Sequence, residues 1–331
     1  MIIASTLSKI NAQNFAGEVY LIGYSVPVNG SAGTLPSSNG APSQIINFPA
    51  HISAPNFMRF ELSTLPMFGD LAKTYTGAIA LALDSNTEIS LFTAMMTNDD
   101  IFQFSSLEYT KAERFSDPAK RPQACGSSCN ALKNVDYLSY LNVKRKFSGL
   151  LPRLDFAQSP IPIHASIGAN IKYFMEELEG ADYIAQNINL DLAANVIIDW
   201  AHDGQNESSP RIFSLDIAGF ELLQTPQYSK YASESIKSRI HLGFNWDENL
   251  FFLDSRVKFG VRHMSEWGNL PALGVEWQFK NLLFVRAGYH KDFVTGGLSL
   301  TYKIIALHYS LSHHYLAFNP YQVSMQIQTP W

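Results

Sequence analysis

Alternation between apolar and polar residues is the dominant pattern of this chain. The last eleven residues, YQVSMQIQTPW (321–331), place Tyr, Val, Met and Ile at every second position and Gln or Ser between them. Successive side chains of a β-strand point to opposite faces, so this segment predicts a strand with one apolar and one polar face.

The same two-residue period recurs along most of the chain and predicts an all-β protein. It is clearest in IHASIGANIKY (163–173), NINLDLAANVIIDW (187–200), IKSRIHLGFNWD (236–247), ALGVEWQF (272–279) and LLFVRAGY (282–289). Helical spacing is rare, and about fourteen such segments follow one another from Asn56 to the end. An even number of strands suits a closed antiparallel sheet.

The connections between these segments alternate in length. Short links are expected at 84–87, 280–281 and 303–304, and long ones at 97–136, 174–186, 224–234, 265–271 and 313–320. Two links, 147–160 and 201–211, break the rule because they are long yet fall on the short-turn side. Outer-membrane barrels have short periplasmic turns and long external loops, so the pattern predicts extracellular loops and periplasmic termini.

The choice of the inside face separates a membrane barrel from a soluble sandwich. In a sandwich the apolar face would point into the core, whereas in a wide barrel it would face lipid. Lipid is favoured, because the polar face carries glycines and amides more than Lys and Glu, and because aromatic residues stand at strand ends. The predicted aromatic girdle comprises Tyr173, Trp200, Trp246, Tyr289, Tyr302 and Trp331. The predicted lipid-facing set comprises Ile188, Leu190, Leu192, Val257, Phe259, Leu298, Leu300, Val323 and Ile327.

The first 55 residues differ from the remainder. They are dense in Gly, Ser and Pro and show little alternation, which is typical of irregular structure. We therefore divide the chain into an irregular N-terminal segment, residues 1–55, and an outer-membrane β-barrel, residues 56–331. The N-terminal segment could fold into the lumen as a plug or form a flexible periplasmic tail, and the sequence leaves both open.

The composition and the first residues of the chain add four observations. Charged residues are 16% and the net charge is −5, so no basic surface for nucleic acid is expected. No run of about eighteen apolar residues is present, which excludes helical spans but not a barrel. Cys125 and Cys129, the only cysteines, are predicted to form a local disulfide in an oxidising envelope compartment. The first residues lack a complete signal-peptide pattern, which fits either a processed chain or numbering inside a longer precursor.

Charged residues on the polar face are candidate lumen groups. A basic wall is predicted from two consecutive strands, with acidic residues on the neighbouring strands. The full set is Lys172, Asp191, Asp199, Asp216, Lys237, Arg239, Arg256, Lys258, Arg262, Glu276 and Arg286. These charges could create a transverse field that orients a permeating solute. They could instead form ion pairs that fill the barrel or hold the N-terminal segment, which is favoured because neighbouring strands of opposite charge pair.

No motif of an enzyme is found. The sequence contains no Gly-x-Ser-x-Gly, His-Glu-x-x-His, Gly-x-Gly-x-x-Gly or phosphate-binding loop. His313 and His314 are adjacent strand residues that point in opposite directions, so a metal site is not expected there. We expect no catalytic residues, no bound metal and no cofactor.

Two blocks of the sequence resemble the FadL-like outer-membrane barrels. They are SIGANIKYFMEELEGADYIAQNINLDLAANV (166–196) and LGVEWQFKNLLFVRAGYHKDFVTGGLSLTYKIIALHYSLS (273–312), within a likeness that covers roughly residues 76 to 331. The group includes PorV of the type IX secretion system, uncharacterised spirochaete barrels and TraF-like plasmid-transfer barrels. The N-terminus departs from the family pattern, because only NFPAHIS (47–53) is similar to its Asn-Pro-Ala-Gly-Leu turn.

The resemblance implies two functions. A FadL-like channel would pass a small or hydrophobic solute across the outer membrane. A PorV-like barrel would transport nothing and would dock onto a secretion or surface-export machine. The channel is favoured because small residues interrupt the polar face and could leave space for a solute: Gly168, Ala193, Gly243, Gly260, Gly274 and Gly288. Glycines in strands can equally serve barrel curvature.

Overall fold

Fourteen long strands close into one antiparallel barrel in the computed structural model. The structure describes residues 23–52, 57–67, 72–101, 132–151, 161–179, 183–201, 210–224, 226–228, 233–250, 254–268, 270–290, 293–314 and 321–330. The strands are β1 (Phe57–Met67), β2 (Ala72–Ala82), β3 (Thr87–Ile101), β4 (Leu132–Leu151), β5 (Ile161–Glu179), β6 (Tyr183–Ala201), β7 (Pro210–Phe220), β8 (Pro226–Tyr228), β9 (Ser233–Ser235), β10 (Arg239–Leu250), β11 (Ser255–Met264), β12 (Ala272–Phe279), β13 (Leu283–His290), β14 (Phe293–Tyr302), β15 (Ile305–His314) and β16 (Tyr321–Pro330).

The barrel closes between its first and last strands. β1 pairs with β16 in an antiparallel register that sets Phe57 opposite Pro330, and β5 pairs with β6. Each remaining barrel strand pairs with its neighbours in the chain, and β7 pairs directly with β10. The short strands β8 and β9 form a hairpin that adjoins β6 through Gln186 and Tyr228. The prediction of a closed fourteen-stranded antiparallel barrel is confirmed.

Strands β3 to β6 are longer than the sequence pattern predicted. β4 has 20 residues and β5 and β6 have 19 each, whereas β12 and β13 have 8. The predicted links 97–136, 147–160 and 174–186 therefore lie partly within strands, and the predicted link 224–234 contains β8. A membrane crossing needs only about ten residues, so these strands extend beyond it. Beyond the membrane both faces of a strand can be polar, so the alternation from which the strand ends were predicted is lost.

The two ends of the barrel are distinguished by their links. The short-turn end carries residues 83–86, 280–282 and 303–304 and the first residues of β1. The opposite, long-loop end carries the link between β3 and β4 and the links on either side of the β8–β9 hairpin. The predicted disulfide of Cys125 and Cys129 lies outside the described residues.

The apolar face points outward, as predicted. Six of the predicted lipid-facing residues are more than 40% exposed: Ile188, Leu192, Phe259, Leu298, Leu300 and Val323. Leu190, Val257 and Ile327 are half-buried. Among the predicted girdle residues, Tyr173, Trp246, Tyr289 and Tyr302 are exposed on the outer wall. The side chain of Trp200 and the whole of Trp331 lie outside the described part of the chain. Trp246 stacks beside Phe213 and Phe259, so aromatic residues of three adjacent strands adjoin near the short-turn end.

Residues 23–52, the lumen segment, lie inside the barrel. The segment contains a one-turn helix α1 (Val26–Asn29), with a proline in its first turn, and a 3-10 helix of Pro42–Ile46. Most of it is buried, although no strand of the sheet comes from it. It contacts strands on opposite sides of the ring, including β5, β11, β14 and β16. A segment can reach all of these walls only from within the lumen.

An aromatic cluster anchors one side of the lumen segment. Tyr24 packs against Phe92 of β3 at 5.6 Å between ring centroids, and Phe92 packs edge-on against Tyr140 of β4 at 5.7 Å. Ile45 and Phe174 belong to the same buried cluster. This apolar patch is the part of the inner wall that alternation alone does not predict, because its residues occupy the polar face.

None of the helices in the described residues is long and apolar enough to cross a membrane.

Candidate functional site

Four inward-facing glycines mark positions where the lumen segment touches the barrel wall: Gly168, Gly260, Gly274 and Gly288. A Cβ on Gly168 would overlap the carbonyl of Pro49, and one on Gly274 would overlap Thr34. A Cβ on Gly288 would overlap the backbone of Ser31 and Ala32. The backbone of one segment can approach another this closely only where no side chain intervenes.

The interpretation of the five glycines in the set of small residues as open space for a solute is therefore wrong in this structure. The space beside Gly168, Gly274 and Gly288 is occupied by the lumen segment, and that beside Gly260 by Leu35. The space beside Gly243 is filled by the side chain of Asp216. Glycine spacing shows where a strand lacks side chains, but it does not reveal what fills the gap.

Arg262 of β11 is a principal contact to the lumen segment. Its Nη1 donates to the carbonyl of Gly33 at 3.1 Å and its Nη2 to the carbonyl of Asn47 at 2.6 Å. The guanidinium also lies 4.1 Å from the ring centre of Phe48 and 3.4 Å from Asp216. One buried arginine thus joins two distant parts of the lumen segment to a single strand.

Polar side chains of β14 and β16 hold the same segment from another side. Thr295 accepts a hydrogen bond from the amide of Ala32 at 3.0 Å and donates to the carbonyl of Gly30 at 3.1 Å. Gln326 donates to the carbonyl of Asn39 at 3.0 Å. Backbone groups of an irregular segment need partners when buried, and here the wall supplies them.

The facing wall supplies further partners. Asn142 of β4 donates to the carbonyl of Pro49 at 3.0 Å, and Asn170 of β5 donates to the carbonyl of Ile45 at 3.0 Å. Glu61 of β1 accepts a hydrogen bond from the amide of Ser43 at 3.0 Å. The amide residues that the sequence placed on the polar face therefore act mainly as donors to backbone carbonyls.

A first group of predicted lumen charges lies toward the short-turn end. Arg286 pairs with Glu276 at 2.6 Å, and Glu276 also accepts from Ser38 of the lumen segment. Lys258 donates to Ser38 at 2.6 Å and lies 3.9 Å from Glu276. Arg256 pairs with Asp247. Ion pairing and contact with the lumen segment occur together in this group.

A second group lies toward the long-loop end. Lys172 pairs with Asp191 at 2.7 Å and also with Glu221, which follows β7. Arg239 binds Glu221 through two nitrogens, at 2.7 and 2.9 Å. Burial alone would raise the pKa of Glu221, but the charges of Lys172 and Arg239 outweigh it and lower that pKa. The charges of this group pair with one another, so they are not directed at an open path for a solute.

Glu266 extends the second group beyond the end of β11. Its carboxylate lies 3.1 Å from Arg239 and 2.7 Å from Nε2 of His241. Burial would raise the pKa of Glu266, yet the hydrogen bond from His241 and the charge of Arg239 lower it to about 2. Glu266 is therefore ionised under all physiological conditions.

Two predicted lumen charges, Lys237 and Asp199, make no ion pair among the described residues. Lys237 is exposed in the irregular stretch before β10, so the prediction that it belongs to a strand of the basic wall is wrong. Asp199 is half-buried near the short-turn end of β6 and makes no ion pair among the described residues. The other nine are buried or half-buried on the inner wall, each in an ion pair.

The sequence analysis missed a buried triad. Glu88 of β3 accepts a hydrogen bond from Arg59 of β1 at 2.6 Å and forms an ion pair with Lys144 of β4 at 2.7 Å, and all three side chains are at most 2% exposed. Arg59 and Glu61 alternate with apolar residues in FMRFELS, which is a local signal that would have placed both on the polar face. Pairing across three strands becomes visible only when β1 to β4 lie side by side.

Comparison with known proteins adds information on the fold alone. No protein-family model and no curated protein matches the chain. Among solved structures, it is similar to a deltaS2S3 mutant of the monoaromatic hydrocarbon channel TodX, at 12% identity and a TM-score of 0.50, over 93% of this chain and 99% of that one.

Two toluene transporters are also among the matches. TbuX of Ralstonia pickettii is 10% identical with a TM-score of 0.47, covering 92% of this chain and 97% of that one. TodX of P. putida is 10% identical with a TM-score of 0.42, covering 93% and 99%. The likeness to the TodX mutant, at 12% identity and a TM-score of 0.50, shows a shared barrel fold.

Proposed function

We propose that this chain is an outer-membrane channel of the FadL-like type for a small hydrophobic solute, closed in this structure by the lumen segment. The observation that carries the proposal is that the lumen is filled by a piece of chain outside the sheet. Barrels of eight strands are filled by their own side chains, whereas those of sixteen or more leave a channel. A fourteen-stranded barrel needs additional material to be closed.

Several features support a plug that can be displaced. The lumen segment precedes β1 in the chain, so its removal breaks no strand pairing. Many of its contacts with the wall are hydrogen bonds from amide side chains and from Arg262, which water could replace. The similar fold of a protein described as a hydrocarbon channel favours a hydrophobic solute. We place the short-turn end in the periplasm and the long-loop end outside.

Planar-bilayer recordings test this proposal. We expect the full chain to show rare openings and a chain without residues 1–52 to show a larger, steady conductance. Arg262→Gln, which removes the contacts to Gly33 and Asn47, should raise the open probability of the full chain. Arg256→Gln is the matched control, because Arg256 lies on the same strand and pairs with Asp247 rather than with the lumen segment.

The competing hypothesis is a PorV-like subunit that docks onto a secretion machine and conducts nothing. The dense contact between wall and lumen segment is compatible with it, since such a barrel has no need to open. A truncated barrel that folds but stays closed, together with a full chain isolated in a tight complex with a secretion protein, would decide for docking. That the chain is not an enzyme, and binds no metal or cofactor, remains a prediction.

A further inference from the structure

A polar cavity of about 320 Å³ lies at the short-turn end, between the lumen segment and the wall. Residues 37–40, 51 and 52 of the lumen segment form one side of it, and strands β1, β11 to β16 and their turns form the other. Four basic side chains line it: Arg59, Lys258, Lys303 and His51. Among the described residues, no carboxylate lines it.

The basic residues are only partly neutralised by neighbouring acids. Arg59 and Lys144 share the single carboxylate of Glu88. Lys258 lies 3.7 Å from Asp247 and 3.9 Å from Glu276, but those carboxylates already pair with Arg256 and Arg286. Lys303 makes no ion pair within the described chain. Glu61, the next inward residue after Arg59, contacts Ser43 and lies outside the cavity lining.

Hydrogen-bond donors without partners also indicate a ligand in this cavity. The side chain of Arg59 is fully buried, yet its Nε and Nη1 have no hydrogen-bond partner among the described residues. Buried donors without partners are costly, so a ligand or water is expected beside them. Burial and the charges of Lys144 and Lys258 lower the pKa of His51 to about 3, consistent with a positive potential at this place.

We propose that this cavity binds a small oxyanion, a carboxylate or a phosphate group, held by Arg59, Lys258 and Lys303. Arginine forms two parallel hydrogen bonds to such groups, and lysine contributes a point charge. The amides of Asn39, Gln278 and Gln326 also line the cavity and would complete the shell. The proposal is independent of the hydrophobic solute, because it concerns the mouth of the barrel and not a path through it.

Calorimetric titration of the purified full chain in uncharged detergent tests the proposal. Sodium phosphate and sodium acetate are titrated separately at neutral pH, with ionic strength held constant by sodium chloride. Saturable binding of either is expected; phosphate alone would indicate a phosphoryl ligand and acetate alone a carboxylate. Absence of saturable heat with both would overturn the proposal.

Matched variants locate the site. Lys303→Gln should weaken binding about two- to five-fold, as for an exposed charge pair. Lys280→Gln is the control: Lys280 is also exposed, also has a positive φ and also lies over the preceding aromatic ring, but does not line this cavity. Equal effects of the two variants would place the anion elsewhere and refute the assignment.

Arg59→Gln gives the larger effect. It leaves Glu88 paired with Lys144, so no buried carboxylate loses its last partner, and it removes the unused donors. We expect binding to weaken at least about ten-fold, as for a lost hydrogen bond to a charged group. Should this variant fail to fold by circular dichroism, Lys258→Gln replaces it with the same expected direction. Unchanged affinity in a folded variant contradicts the proposal.

Discussion

The outer and inner walls of this barrel are built from the same strands but obey different rules. On β14, Leu298 faces outward among other apolar side chains, while Thr295 and Ser299 face inward. The outer wall requires only that its residues be apolar, because lipid has no particular shape to match. The inner wall requires specific partners, since each buried charge or amide needs one. We therefore expect the outer wall to tolerate any apolar substitution. On the inner wall, we expect the loss of a single partner to destabilise the fold.

The largest effect is expected for an inner-wall carboxylate. Glu88→Gln leaves Arg59 and Lys144 buried without an acid, and removing one partner of such a pair costs about 3–5 kcal/mol. Urea unfolding in phospholipid vesicles measures the free energy. The double variant Glu88→Gln, Lys144→Met should recover a substantial part of the loss, because one uncompensated charge disappears. A single variant as stable as the parent chain would show that water solvates this triad.

On the outer wall, depth in the membrane should decide the effect. Leu298→Arg, at the centre of β14, should cost about 2–4 kcal/mol because it places a charge at the bilayer midplane. Ile305→Arg, at the end of β15, should cost about 0–1 kcal/mol. Leu298 and Ile305 are 42% and 43% exposed, so the two positions differ mainly in their depth in the membrane. Equal costs in the same unfolding assay would contradict the membrane placement.

Alanine substitutions of one inward and one outward glycine compare the two walls most directly. Gly288→Ala would place a methyl group against the backbone of Ser31 and Ala32, which should cost about 1–3 kcal/mol of overpacking. Gly296→Ala on the neighbouring strand would meet only the carbonyl of Arg286 at 3.9 Å and should be neutral or stabilising. If both variants unfold at the same urea concentration as the parent, the lumen segment does not occupy its place in solution.

The smallest effect concerns a turn outside both walls. Asp84 accepts hydrogen bonds from the amides of Asn86 and Thr87, at 2.6 and 2.7 Å, and these lower its pKa from the ordinary value of 3.8. A lowered carboxylate pKa stabilises the fold above that ordinary value and loses the effect as the pH falls through the folded-state pKa. Asp84→Ala should slightly lower stability at pH 7 and abolish this part of the acid dependence. A pH series of unfolding curves for parent and variant measures it.

The site was only partly predictable from the residues. Nine of the eleven predicted charges lie on the inner wall in ion pairs, because alternation assigns each residue of a paired strand to one face. Arg59, Glu88 and Lys144 come from strands far apart in the sequence, and their triad depends on strand register. Lys237 was misplaced because β10 begins at Arg239, three residues after the start of the alternating segment at Ile236.

The sequence by itself determined which face of each strand meets lipid and that the strands close into a barrel of fourteen. Both follow from a local two-residue period, which needs no knowledge of distant contacts. Only the tertiary structure decided what fills the lumen, because the lumen segment has no period of its own and is held by side chains from many strands. An inward glycine looks the same in the sequence whether a solute or a backbone lies beside it. Only the fold shows that Pro49, Ser31 and Ala32 occupy that space.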